Sequence, residues 1–140
     1  MRLTPTPAVI GLVGLAFAGC TSHAAPPSAP FLQGTTWRLQ RLGGTAAIPG
    51  VEATLEFPEA GKVGGRASCN RFFGTVEISG ESIRFGPLAS TKMACIDAAT
   101  SAQEKKYLEG LQAAERIEFD GPALVLYSRG NDQPLRFTRK

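Results

Sequence analysis

The sequence predicts one small, mainly β domain, an antiparallel β-barrel-like sheet of seven or eight strands with one α-helix. Two observations carry this prediction. Apolar and polar residues alternate in a series of short runs separated by turn residues, and one later segment follows helical spacing instead. The chain has 140 residues, 43% of them hydrophobic and 19% charged, which is the size and composition of one globular domain.

Each predicted strand has one apolar face, as expected for antiparallel strands that close on themselves or stack. In chain order the apolar positions are Trp37 and Leu39, Leu55 and Phe57, Val63, Ala67 and Cys69, Val76 and Ile78, Ile83 and Phe85, Ile117 and Phe119, Leu124 and Leu126, and Leu135 and Phe137. Turns with glycine are predicted at residues 79–82, 120–121 and 129–132.

One segment departs from the two-residue period. Ser101 and Glu104 have the spacing of a capping box, and apolar residues then recur at helical spacing, at Tyr107, Leu108, Leu111 and Ala114. This pattern predicts a helix over residues 102–114 that plugs the open end of a barrel or covers a sheet edge. Gly110 costs this helix about 1 kcal/mol relative to alanine, which indicates close packing there.

The N-terminus reads as a leader over residues 1–19. Its apolar run, residues 8–18, would span only about 16 Å as a helix, roughly half the thickness of a bilayer core. The segment ending in Cys20 resembles the lipobox of bacterial lipoproteins, although Phe17 stands where leucine is usual. We expect a lipid anchor on Cys20 and, because Thr21 follows it, an outer-membrane protein facing the periplasm. The alternative is ordinary cleavage, which would leave a soluble periplasmic or secreted protein.

Residues 20–32 form a predicted tether rich in proline and alanine, and residues 33–140 form the predicted domain. His23, the only histidine, lies in the tether and is expected to be solvated.

Charge and composition exclude several function classes. Removing Arg2 with the leader leaves 14 basic and 12 acidic residues, interspersed, so nucleic-acid binding is not expected. The domain has no histidine to act as a base and no G-x-S-x-G motif. Its carboxylates, among them Glu52, Glu56, Glu59, Glu77 and Glu81, fall at exposed positions. The sequence therefore predicts a non-catalytic domain without a cofactor or metal.

Two cysteines remain if Cys20 carries lipid. Cys69 and Cys95 are an even pair in a compartment that allows oxidation, so we expect a structural disulfide. Closing this loop would stabilise the fold by about 3.5 kcal/mol in the chain-entropy model. A reactive pair is the alternative, although the two are not in a C-x-x-C arrangement. A zinc site is less favoured because it needs four ligands.

Several blocks in this domain carry a family resemblance. They are Gly34-Thr-Thr-Trp37, Ala67-Ser-Cys-Asn-Arg-Phe-Phe-Gly74, Gly86-Pro-Leu-Ala-Ser-Thr-Lys-Met-Ala-Cys95, and Glu104 with Tyr107-Leu108. Over residues 33–139 the chain resembles the META domain family of HslJ-like bacterial heat-shock and envelope lipoproteins. The resemblance implies a barrel-like domain with a helix, exported and often lipid-anchored, with the two block cysteines joined. It implies no enzymatic activity, and it implies a loose association with heat shock and other stress responses.

Asn70, Arg71, Thr91 and Lys92 form a candidate binding patch within these blocks. In the structural interpretation, which we favour, Asn70 tolerates a left-handed turn and hydrogen-bonds local backbone, while Arg71 anchors a carboxylate. Because neighbours on a strand point to opposite faces, one of Phe72 and Phe73 is expected in the core and the other outside. Trp37 is expected in the core.

Two non-enzymatic functions remain at this point. The first is an interaction module that binds another envelope protein. The second is a barrel that holds a small apolar ligand or lipid. A continuous apolar pocket would favour the second function, and a filled core with exposed aromatic and arginine side chains would favour the first.

Overall fold

The structure, a computed structural model, describes residues 29–130 and 133–140. The leader, Cys20, Thr21, His23 and part of the predicted third turn lie outside these residues. The described elements are α1 (Ala29–Leu32), β1 (Thr35–Leu42), β2 (Thr45–Ala46), β3 (Thr54–Phe57), β4 (Lys62–Arg66), β5 (Arg71–Ser79), β6 (Ser82–Phe85), β7 (Ala89–Ser90), α2 (Ala98–Gln112), β8 (Ala114–Asp120), β9 (Ala123–Ser128) and β10 (Leu135–Arg139).

Eight of these strands form a closed antiparallel barrel in the order β1-β3-β4-β5-β6-β8-β9-β10, and β10 pairs with β1 to complete the ring. The two-residue strands β2 and β7 are additions that pair with β1 and β5. The register places Trp37 opposite Leu55, and Leu39 opposite Phe137, so apolar side chains share the inner face. The predicted fold class is confirmed.

Aromatic side chains fill the barrel interior around Tyr107 of α2. The Tyr107 ring lies 5.9 Å from that of Phe72 on β5 and 6.1 Å from that of Phe137 on β10. β5 and β10 are four places apart in the eight-strand ring, so these two rings come from opposite walls. All three side chains are buried, and burying a large apolar side chain is worth about 1.5–3 kcal/mol. The helix therefore plugs the barrel. This is the first of the two predicted alternatives, the other being a helix that covers a sheet edge.

The α2 helix begins four residues before its predicted start. Asp97, not Ser101, is the N-cap, because its carboxylate accepts the Thr100 N–H at 2.7 Å while Ser101 already lies within the first turn. Glu104 is engaged elsewhere, so the predicted capping box is wrong. A Cβ on Gly110 would lie 3.2 Å from Leu135 Cδ1, which confirms close packing there.

The hairpins at 79–82 and 120–121 are confirmed by the pairs Ser79–Ser82 and Asp120–Ala123. The folded part begins slightly earlier than residue 33, since Leu32 of α1 is fully buried. Neither described helix has the length and apolarity required to cross a membrane.

Candidate functional site

Asn70 lies in the turn between β4 and β5, and its side-chain amide uses its full hydrogen-bonding capacity. Nδ2 donates to Glu104 Oε1 at 2.7 Å and to the Met93 carbonyl at 3.2 Å. Oδ1 accepts from the Thr91 hydroxyl at 2.9 Å and from the Met93 N–H at 2.7 Å. The amide thus joins the β4–β5 turn, loop 91–97 and α2. We call Asn70, Thr91, Met93 and Glu104 the Asn70 cluster.

Glu104 enters this cluster from α2. Its Oε2 accepts the N–H groups of Cys69 at 2.9 Å and of Asn70 at 2.6 Å. Burial opposes the charge, but the hydrogen bonds from Asn70 and Cys69 and the nearby positive charge of Lys92 outweigh it, so the pKa of Glu104 is lowered. The carboxylate stays ionised at neutral pH and fixes the β4–β5 turn against the helix.

Ser68, two residues before Asn70, is the described non-glycine residue with a positive φ, 117°. The positive φ therefore falls on Ser68 and not on Asn70, the residue whose type tolerates a left-handed turn. The strained Ser68 backbone is held from α2, because Gln103 Nε2 donates to Ser68 Oγ at 2.9 Å. Gln103 Oε1 also accepts the Ile48 N–H at 2.7 Å, so one buried glutamine fixes two loops.

The structure places the thiols of Cys69 and Cys95 side by side, with their Sγ atoms within 4.8 Å of each other. A hydrogen bond with Cys69, reinforced by desolvation, raises the pKa of the Cys95 thiol to about 11. A thiol with this pKa is a weak nucleophile near neutral pH. The disulfide stays a prediction.

A Glu104 oxygen lies within the same 4.8 Å of both thiols, so the described residues contain one three-ligand group. A structural zinc site takes four ligands, with its thiols deprotonated. Here the described residues supply three ligands, and Glu104 already accepts three hydrogen bonds. The arrangement is a hydrogen-bonded joint between loops and falls one ligand short of a structural zinc site.

The four residues of the predicted binding patch are neighbours in the structure, although they differ in exposure and partners. Asn70 is directed inward, and the Thr91 hydroxyl is engaged by Asn70 and by the Arg71 N–H at 3.1 Å. The side chains of Arg71 and Lys92 are exposed, and Arg71 lies 3.8 Å from Glu56. Arg71 and Glu56 thus form an exposed ion pair, and the solvent-facing part of the patch consists of Thr91 and the two cations.

Glu104 and Gln103 were not among the residues expected in this site from the sequence. A signal for them was present, since both fall on the same side of α2 as Tyr107 and Leu111, the side that the helical spacing predicts to be buried. Polar groups on a buried helix face need partners, and loop segments without regular structure supply them.

At and beside the Asn70 cluster, three large hydrophobic side chains are exposed on β5 and loop 91–97. Phe73 is 60% exposed, Met93 60% and Ile96 93%, whereas Phe72 is buried. The expected division between the two phenylalanines is confirmed, with Phe73 outside. Trp37 lies in the core as expected.

Comparisons with known proteins agree on the fold. A family model described as the META domain matches residues 30–140. No curated protein matches the chain. A protein from Burkholderia xenovorans solved by NMR is 24% identical, with a TM-score of 0.65 over 87% of this chain and 97% of that one. Another NMR structure is 21% identical, with a TM-score of 0.66 over 80% of this chain and 94% of that one.

Proposed function

Because the chain belongs to the META domain family, a membership that brings a fold without an established activity, we propose that it is an envelope interaction protein. It is exported, anchored by a lipid on Cys20, and carries a non-catalytic domain that binds another envelope component. One observation carries the proposal. The barrel interior is filled, while large apolar side chains are exposed on β5 and loop 91–97.

The filled interior argues against the alternative of a ligand-carrying barrel. Tyr107 occupies the space between opposite walls, and its hydroxyl donates to the Thr54 carbonyl at 2.9 Å. Among the described residues, every buried side-chain nitrogen or oxygen has a hydrogen-bond partner, so none awaits a ligand. A hollow of about 620 Å³ lies on the surface, and its lining includes Glu81, Glu115, Arg116 and Arg129, which is unsuited to an apolar ligand.

The exposed apolar side chains of β5 and loop 91–97 support an interaction role. Single exposed hydrophobic residues are common on soluble proteins, but a local group of them marks a contact surface. Met93 is held by two backbone hydrogen bonds to the Asn70 side chain. Such a surface is ordered before it meets a partner, which lowers the entropic cost of binding.

The proposed location of the protein rests on the leader and on Cys20. With Thr21 after the cysteine, the outer membrane is the favoured site, and the domain would face the periplasm. A stress-related role follows from the family resemblance. In this oxidising compartment the adjacent thiols of Cys69 and Cys95 would form a disulfide that staples loop 91–97 to the β4–β5 turn.

Native mass spectrometry of the full-length protein, extracted with mild detergent from its own host, tests this proposal. The expected species is a lipidated chain, two hydrogens lighter than the dithiol, with no further small molecule. A retained ligand of several hundred daltons that dissociates on activation would instead support the barrel carrier. A Cys20→Ala control should move the protein from the membrane fraction to the soluble fraction. An unchanged distribution would contradict the anchor.

A further inference from the structure

Cationic side chains lie beside the exposed apolar residues. Arg66 on β4 and Arg71 on β5 are direct cross-strand partners, so both side chains project from the same outer face, and both are exposed. Phe73 follows Arg71 by two residues and shares that face. Like charges directly opposite each other destabilise a sheet. The placement of these two arginines opposite each other and beside exposed Phe73 therefore favours a role in binding.

Loop 91–97 extends this face with one more cation and two more apolar side chains. Thr91 bonds both backbone groups of Arg71 through its own N–H and hydroxyl, which ties the loop to the start of β5. Lys92, Met93 and Ile96 are exposed on this tied loop.

The nearby carboxylates are already engaged. Glu56 lies 3.8 Å from Arg71, Asp97 caps α2, and Glu104 is enclosed by backbone and Asn70 donors. Among the described residues, Arg66 and Lys92 have no carboxylate within ion-pair distance, so two unpaired cations lie beside the exposed apolar side chains. The complement of this surface is one with carboxylates next to apolar side chains.

The surface lies at the end of the barrel away from α1. Phe119, near the far end of β8, packs 5.5 Å from Phe31 of α1, so α1 lies opposite the start of β8. The pairs Ser82–Arg116 and Val76–Phe85 place the start of β5 at the end where β8 begins. Loop 91–97, which is tied to the start of β5, therefore lies at the barrel end opposite α1.

Resting on the proposed function, we propose that Arg66, Arg71, Phe73, Lys92, Met93 and Ile96 form the docking face for an acidic, apolar segment of another envelope protein. We call these six residues the basic–apolar face. The apolar side chains supply the buried contact area, and the cations select a partner with carboxylates and exclude basic partners.

Site-specific photocrosslinking in the native envelope tests this face. Benzoylphenylalanine replaces Ile96 or Phe73 in the full lipidated chain and, as a control, exposed Ser79 at the other end of β5. Each is combined with Lys92→Glu or with Arg84→Glu, the latter reversing an exposed charge on β6. We expect one protein adduct from positions 96 and 73, whose crosslinked peptide carries Asp or Glu beside apolar residues. Lys92→Glu should lower its yield about tenfold, and Arg84→Glu should leave the yield unchanged.

The other outcomes separate this face from the general function. Adducts at position 79 alone would overturn the docking face and leave an interaction role intact. Phospholipid adducts at 96 would overturn it in favour of membrane contact, and adducts to a second copy would overturn it in favour of self-association. Protein adducts with equal yield in both charge variants would overturn the electrostatic selection. Absence of adducts at all three positions would count against the proposed function itself.

Discussion

At the scale of single residues, Asn70 and Glu104 hold the site together. The Asn70 amide makes four hydrogen bonds and Glu104 accepts three, so the β4–β5 turn and loop 91–97 are fixed by side chains rather than by a strand ladder. Buried groups of this kind contribute little when all are paired but are costly when one partner is removed.

Replacement of Asn70 with alanine should therefore lower the free energy of unfolding by about 2–4 kcal/mol, because it leaves the Met93 N–H and a Glu104 oxygen without their partner. Urea denaturation followed by circular dichroism measures this change. Gln33→Ala, at an exposed position, is the control and should stay within about 0.5 kcal/mol of the wild type. Similar values for both variants would contradict the role assigned to the Asn70 cluster.

The pH dependence of stability should report on Glu104. Its pKa in the folded protein is lowered from an ordinary value of 4.5, so its ionised form stabilises the fold above that pH. The contribution is lost as the pH falls from about 4.5 through the lowered pKa. The difference in unfolding free energy between the wild type and Glu104→Gln should accordingly be largest near pH 7 and shrink on acidification. A difference that grows on acidification would contradict this sign.

At the scale of elements, the start of α2 is decided by which residue can reach the free N–H groups of its first turn. Asp97 and Ser101 are both suitable cap residues by type. Only Asp97 adopts the extended backbone of a cap, with φ −150° and ψ 166°, and accepts the Thr100 N–H. The helix gains a turn from this choice, and that turn contributes buried Thr100.

These two residues provide a paired test. Asp97→Ala should destabilise the protein by about 1 kcal/mol through loss of the cap, and Ser101→Ala should have an effect near zero. Thermal unfolding of both variants measures the contrast. A larger loss with Ser101→Ala would restore the capping box that the spacing of Ser101 and Glu104 predicted.

At the scale of the whole molecule, barrel closure brings distant segments into one site. The pairing of β10 with β1 completes the ring, and α2 then spans the interior and delivers Glu104 to a turn 34 residues earlier in the chain. The cysteines are neighbours for the same reason, since the helix and loop 91–97 are held against the β4–β5 turn.

A disulfide between Cys69 and Cys95 would close a long loop of the chain. Protein isolated from the periplasm should contain the Cys69–Cys95 bond, and reduction should lower the free energy of unfolding by about 3.5 kcal/mol, less any strain in the native bond. Denaturation with and without reductant measures the difference, and a Cys69→Ala, Cys95→Ala double variant should show no response to reductant. Two free thiols in freshly isolated protein would disprove the bond.

The sequence by itself determined the fold class of this protein, its helix and the hairpins at 79–82 and 120–121. Hydrophobic periodicity and turn residues are local properties, and they need no knowledge of which strands meet. For the same reason the sequence could not show which of Phe72 and Phe73 is buried. Neighbouring residues on a strand point to opposite faces, but this pattern does not show which face lies inside the barrel.

Only the tertiary structure decided the contents of the site. The cap at Asp97, the positive φ at Ser68 and the hydrogen bonds of Glu104 and Gln103 all depend on segments that approach one another after the barrel closes. A capping-box spacing or an asparagine in a turn indicates which hydrogen bonds a residue is able to make. Which bond it makes depends on the free energy of competing partners, and the barrel determines those partners by bringing residues far apart in sequence within hydrogen-bond distance.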